Sequence, residues 1–403
     1  MITTSITASV TFGLLLPLIM IFMQGPSVTA ELALGTVLAV CGLYVTRRME
    51  DIKRLVPYLA CMFVYIATAY YWKDHDNDLT AKYTLGLICY LVTAGMVLRA
   101  LVDRGRGNGV LLGLALFSLS LAAVGLEVLR TVGVENLVKT MGLSLSRSNV
   151  ENETFTYLHF FSITNVIIGM SSFAICGLAG IVILSLEAPA LIKCISIIGF
   201  GVALYTNVQV ITRGAVISAA LGVAGAFPFL AAKMGLRRLV RYSVAGLGAL
   251  VVVLGFVVFA NRSIMENVRF FAERVSQAGD DMRLTHWQEA TGLIGRNPFG
   301  GGRVFMQTHT WAHNLFLDTA LTAGFPGLCS VAFCLLLASL QICRVLLRSR
   351  GTLDPVFLVL LAQFLAVFVL AMTSPPSLPL FGFLLLVAGF FARPYNRDDL
   401  QYA

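Results

Sequence analysis

The sequence predicts an all-α, polytopic integral membrane protein, and three observations carry that expectation. The chain of 403 residues is 58% hydrophobic and only 12% charged, with a mean hydropathy of +0.83. Globular chains carry about 25% charged residues, so too few remain here to coat a water-facing surface. Apolar stretches of roughly 17–25 residues, long enough to cross a bilayer as helices, recur along the whole length. Lys and Arg concentrate in alternate loops, as in chains that weave through a membrane. This pattern excludes a disordered, collagenous or disulfide-scaffold protein. The net charge of +8 reads as cytoplasmic anchoring charge and anionic-lipid contact, since no nucleic-acid motif accompanies it.

About twelve spans are expected, near 6–23, 28–45, 55–72, 83–101, 110–130, 162–186, 190–206, 213–232, 239–260, 312–343, 353–373 and 376–392. The first is not read as a signal peptide. Val28-Thr29-Ala30 resembles a cleavage site, but Met1 to Ser9 carries no positive charge. The chain thus divides into a first set of spans over 1–260, one large outer loop over 261–311, and the closing spans with a tail over 312–403.

Orientation follows from the basic residues. One set of loops carries Arg47, Arg48, Lys53 and Arg54, then Arg99, Arg104 and Arg106, then Lys193. The same set continues with Lys233, Arg237, Arg238 and Arg241, then Arg344, Arg348 and Arg350, and Arg393 and Arg397 in the tail. Short loops of the other set hold only Lys73, Lys82 and Arg213. The basic set is cytoplasmic by this rule, with both termini inside. All eight cysteines fall in expected spans and read as small apolar packing residues. Asn152-Glu153-Thr154 fits a glycosylation sequon in an outer segment.

The large loop has its own pattern. Ser263-Ile264-Met265-Glu266 is a capping box, followed by Ile264, Val268, Phe271 and Val275 at helical spacing, which predicts an amphipathic helix. A second short helix is expected from Asp280-Asp281, with Arg283, Trp287, Ala290 and Ile294 along one face. It stops at Gly295-Arg296-Asn297-Pro298, before Phe299-Gly300-Gly301-Gly302. That glycine run is either a flexible turn or a place where backbone N–H groups approach a phosphate.

Candidate chemistry clusters at the outer boundary. His309, His313 and Asp318 lie there, and titratable groups at that depth are functional candidates by default. His313 also reads as a capping or interfacial histidine, and His309 as a loop residue. Asp318 reads best as a structural hydrogen-bond acceptor. Arg213 opens a span after a short outer turn, where it either snorkels to headgroups or binds a ligand. Asp74-His75-Asp76-Asn77-Asp78 resembles a metal loop, but Leu79 and Leu85 replace the glycine and glutamate that an EF-hand needs. No metal or cofactor is expected.

Taken in order, Thr212-Arg213-Gly214-Ala215, Arg283 with Trp287 and Ala290, Asn297-Pro298-Phe299-Gly300-Gly301-Gly302, and His313-Asn314 leading into Leu321, Gly324 and Gly327 form a recognisable set. The set resembles the O-antigen ligase and polymerase superfamily, and the O-antigen ligases most. About twelve spans with a large outer loop before the tenth also match. The resemblance implies a glycosyltransferase of the bacterial inner membrane with its site facing the periplasm. The donor would be O-antigen on undecaprenyl diphosphate, and the acceptor the lipid A–core oligosaccharide of lipopolysaccharide. It implies donor-diphosphate binding by Arg213 and Arg283 and a catalytic role for His313. An O-antigen polymerase, with a second lipid-linked glycan as acceptor, is the nearest alternative, and a lipid-linked glycan transporter a more distant one.

The orientation is directly testable. Ser276→Cys in a cysteine-free background is expected to react with a membrane-impermeant thiol reagent from the periplasmic side. Labelling from the cytoplasmic side alone would invert the topology.

Overall fold

The computed structural model describes residues 2–24, 49–71, 92–132, 188–210, 213–237, 240–241, 244, 283–306, 312, 314–349, 354–372 and 378–392. Among them the fold is all-helical, with no strand. The helices are α1 (Ile2–Gln24), α2 (Met49–Tyr71), α3 (described over 92–103), α4 (Gly107–Val132) and α5 (Ala190–Val210). They continue as α6 (Arg213–Met234), α7 (Arg283–Arg296), a 3-10 turn at Gly302–Phe305, α8 (Leu315–Ser349), α9 (Pro355–Ala371) and α10 (Leu378–Ala392).

Each expected span that falls among the described residues meets a helix. The expected spans near 28–45 and 162–186, most of that near 239–260, and the capping box with its amphipathic helix lie outside the described residues. So do the Asp74–Asp78 cluster, the 152–154 sequon, His309 and His313.

Gly107–Glu127 and Leu315–Leu347 are long and apolar enough to cross a membrane. Shorter apolar helices stand beside them at Thr3–Leu16, Val56–Thr68, Ala190–Thr206, Ile217–Ala232, Pro355–Ala371 and Phe383–Ala392. The distribution of polarity agrees with a lipid surround. Phe63, Ile197, Ile198, Leu221, Phe333 and Leu336 are exposed, while Thr11, Ser118, Ser196 and Gln363 are buried. Exposed apolar side chains on several helices suit a lipid-facing surface. Small residues let the helices approach closely. A Cβ on Gly95 of α3 would strike the Leu386 carbonyl of α10, and one on Gly389 would strike the Val92 carbonyl of α3. Gly222 of α6 meets Ala362 and Ala366 of α9 in the same manner.

These contacts also fix which helix ends lie together. Gly109 of α4 faces Thr7 of α1, and one turn later Gly113 faces Thr11, so α1 and α4 run parallel. Tyr58 donates to Gln341 Oε1 at 2.6 Å, while Gly327 faces Tyr65 and Thr68, so α2 and α8 run antiparallel. Gly107 lies against Asp354, which caps α9 by accepting from Val356 N at 2.9 Å, with Pro355 opening the helix. One end of the bundle therefore gathers the starts of α1, α2, α4 and α9 and the end of α8. The exposed Lys53, Arg104, Arg106 and Arg344 belong to that end. At the opposite end, Asn314 Nδ2 donates to Met372 O at 3.3 Å and ties the start of α8 to the end of α9.

Arg99 departs from the sequence expectation. Grouped there with the loop charges, it is instead 1% exposed within α3. Its Nε donates to Asp103 Oδ1 at 2.8 Å, and its guanidinium sits 4.4 Å from the Phe357 ring centroid and 5.7 Å from that of Phe390. A cation in an apolar bundle needs both an opposite charge and polarisable faces, and Arg99 has them. It thereby pins α3 to the start of α9 and the end of α10. The cysteines also divide. Cys334 is buried and contacts the Tyr58 carbonyl at 3.9 Å, whereas Cys194, Cys329 and Cys343 are exposed.

The Gly95–Gly389 crossing sets a stability expectation. Gly95→Ala should cost about 1–3 kcal/mol through overpacking against backbone that has no side chain to swing away. Gly201→Ala, where the added methyl meets open space, should be neutral or stabilising. Thermal unfolding of the two variants in detergent measures the difference.

Candidate functional site

The expected second loop helix is α7, running Arg283–Arg296. Trp287, Ala290 and Ile294 share one face and pack with Ala312, Ala320 and Leu321 in a small core of their own. Burying the indole leaves its N–H in need of an acceptor, and Trp287 Nε1 donates to Ala312 O at 2.8 Å. This bond joins α7 to the segment that leads into α8. His286 is also buried, at 7% exposure, one turn after Arg283. The sequence reading passed over His286. Its i+3 spacing from Arg283 and its place beside Trp287 were the available signals.

The glycine run is a docked turn. Gly300 and Gly301 adopt φ of 110° and 75°, in the left-handed region. Gly300 N donates to Asn297 O at 3.1 Å and Gly301 N to Thr322 O at 3.4 Å. These two N–H groups are engaged by the protein's own carbonyls, which argues against a phosphate cradle there. The turn inserts where α8 is broken. Gly324 leaves the helical region at φ 67° and ψ −168°, two residues before Pro326. Phe325 N, lost to the helix ladder, donates to Pro298 O at 2.8 Å. A Cβ on Gly324 would overlap the Phe299 and Gly300 backbone.

The mouth of α8 is built by two side chains. Asn314 Oδ1 accepts from Phe316 N at 3.0 Å and Leu317 N at 3.2 Å, capping the helix. The span was expected to open at 312, and this cap is why the helix begins at Leu315. Asp318, 2% exposed, turns back on the approach: Oδ1 accepts from Ala312 N at 2.7 Å and Oδ2 from Asn314 N at 2.9 Å. The expectation that Asp318 is a structural acceptor matches these bonds. Two N–H donors on two oxygens form a charge-assisted pair, placed at a helix start where negative charge is favoured.

Arg213 and Arg283 are the first residues of α6 and α7, and their side chains lie outside the described set, as does all of His313. α7 is tied to the mouth of α8 through the Trp287 Nε1 bond to Ala312 O, so Arg283 opens a helix at the Met372 end. Gly222 meets Ala362 and Ala366, and Gly225 meets Leu365. α6, which opens at Arg213, therefore packs along α9 through small residues. No family model matches the chain, and no curated protein matches it either.

Gly324 offers the sharpest test of this construction. Gly324→Ala combines a positive φ with a collision against the 297–301 turn, a backbone strain of about 1–3 kcal/mol before the collision is counted. The turn should undock, and limited proteolysis should cut at 297–301 in the variant but not in the parent.

Proposed function

We propose that the chain is an O-antigen ligase. It transfers O-antigen polysaccharide from undecaprenyl diphosphate to a hydroxyl of the lipid A–core oligosaccharide, at the periplasmic face of the bacterial inner membrane. The bundle crosses that membrane about twelve times, with the Lys53, Arg104 and Arg106 end and both termini in the cytoplasm. The reading is supported by the seating of α7, the helix that starts at Arg283, against the 312–314 segment at the mouth of α8, at the opposite end.

The chemistry suited to that end follows from the residue types. Two guanidinium groups form bidentate, charge-assisted bonds with a diphosphate. They hold the donor and stabilise the charge that develops as the diphosphate leaves. A neutral imidazole at His313 removes the acceptor hydroxyl proton. The acceptor oxygen then forms its bond to the anomeric carbon as the carbon–oxygen bond to diphosphate breaks, and the leaving group departs with the electron pair. One displacement inverts the anomeric centre and requires neither a carboxylate nucleophile nor a metal ion.

In a reconstituted transfer assay, His313→Ala should lose roughly 10²–10⁴-fold in rate while still binding donor. Arg213→Ala and Arg283→Ala should each cost on the order of 2–4 kcal/mol. The Lys variants should remain impaired, because an ammonium lacks the planar fork. Near-normal transfer by any of the three Ala variants removes that residue from the site. A deletion strain separates the nearest rival. Free lipid A–core beside accumulated lipid-linked polymer supports a ligase, and lipid A–core capped with a single repeat unit supports a polymerase.

A further inference from the structure

We infer that Asp318 and Trp287 form a clamp whose task is to position residue 313 for proton transfer, so that Asp318 is a positioning residue of the reaction as well as a structural acceptor. The inference rests on the assignment of His313 to the transfer step. Three hydrogen bonds converge on the two residues that flank it. Ala312 N is held by Asp318 Oδ1 at 2.7 Å, Ala312 O by Trp287 Nε1 at 2.8 Å, and Asn314 N by Asp318 Oδ2 at 2.9 Å.

Capping alone does not require this arrangement. The first N–H groups of α8 are already served by Asn314 Oδ1, and Asp318 N donates to Asn314 O at 2.8 Å as the first bond of the ladder. The Asp318 carboxylate instead reaches backwards, out of the helix, to the two residues on either side of position 313. Burial makes those bonds difficult to exchange for water, since Asp318 is 2% exposed and Ala312 fully buried. The third bond comes from α7, the helix that begins at Arg283. One side chain therefore links the loop helix carrying a donor-binding arginine to the backbone carrying the base. A misplacement of about 1 Å at a reacting group costs roughly 10²-fold in rate, which is the error such a clamp suppresses.

The experiment compares Asp318→Asn, Trp287→Phe and Asp354→Asn in the full-length protein, with donor KM and kcat measured separately. Asp318→Asn keeps one acceptor oxygen and turns an amide N–H₂ toward the other backbone N–H. Trp287→Phe keeps the ring and deletes the bond to Ala312 O. Asp354→Asn makes the same change to a helix-capping carboxylate at the far end of the bundle, where Asp354 accepts from Val356 N. The expected result is a kcat reduced by roughly 10²-fold in Asp318→Asn, a smaller loss in Trp287→Phe, unchanged donor KM in both, and unchanged kcat in Asp354→Asn.

Wild-type kcat in a folded Asp318→Asn or Trp287→Phe overturns the clamp. So does a loss confined to donor KM, or an equal loss of kcat in Asp354→Asn, which would mark a general stability effect. His313→Ala serves as the reference. Its inactivity together with a fully active Asp318→Asn defeats the clamp alone, and wild-type transfer by His313→Ala defeats the functional reading and the clamp with it.

Discussion

Hydrogen bonding of backbone groups in apolar surroundings governs how this bundle is put together, and the break in α8 at Gly324 is where that constraint shapes the most structure. A continuous helix satisfies its own backbone. With a left-handed glycine at 324 and Pro326 close behind, α8 leaves groups around residues 322–325 that the ladder no longer serves. The 297–301 turn answers them, giving Thr322 O a donor and Phe325 N an acceptor. The same docking fixes the C-terminal end of α7, and the Trp287 bond to Ala312 fixes its N-terminal half. A loop helix is thus held against a long apolar helix at both ends.

The other end of the bundle solves a charge problem. Exposed Lys53, Arg104, Arg106 and Arg344 sit where helices start and stop, while Arg99 is drawn inside. An ion pair with Asp103 and two aromatic faces make its burial tolerable, at the junction of α3, α9 and α10. The two ends therefore differ in kind. One holds the caged Arg99, and the other carries a docked loop helix, two side-chain caps and the start of α7.

Asp318 shows why role and placement must be read together. From its position in the first turn of a span it looked like an acceptor within the bundle. Its two oxygens do accept, but from residues that precede the helix. A short carboxylate four to six residues beyond its donors reaches them only because Asn314 has already turned the chain at the helix start. The two side chains divide the work, one closing the helix and the other securing its approach.

Much of this was legible in the sequence. Low charge and recurring apolar runs determine the helical class and most helix positions, because a chain in lipid must satisfy its backbone locally and expose apolar side chains. The Trp287, Ala290 and Ile294 stripe was readable for the same reason, since helical spacing alone puts those residues on one face. Tertiary structure alone decided the rest. Arg99 has the composition of a loop charge and becomes a buried one through Phe357 and Phe390, which lie far along the chain. The glycine run, read as a flexible turn or an anion site, is occupied by partners from α8. In each case the determining contact joins residues distant in sequence, and periodicity, which reports only a residue's neighbours along its own helix, carries no information about which surface that helix will meet.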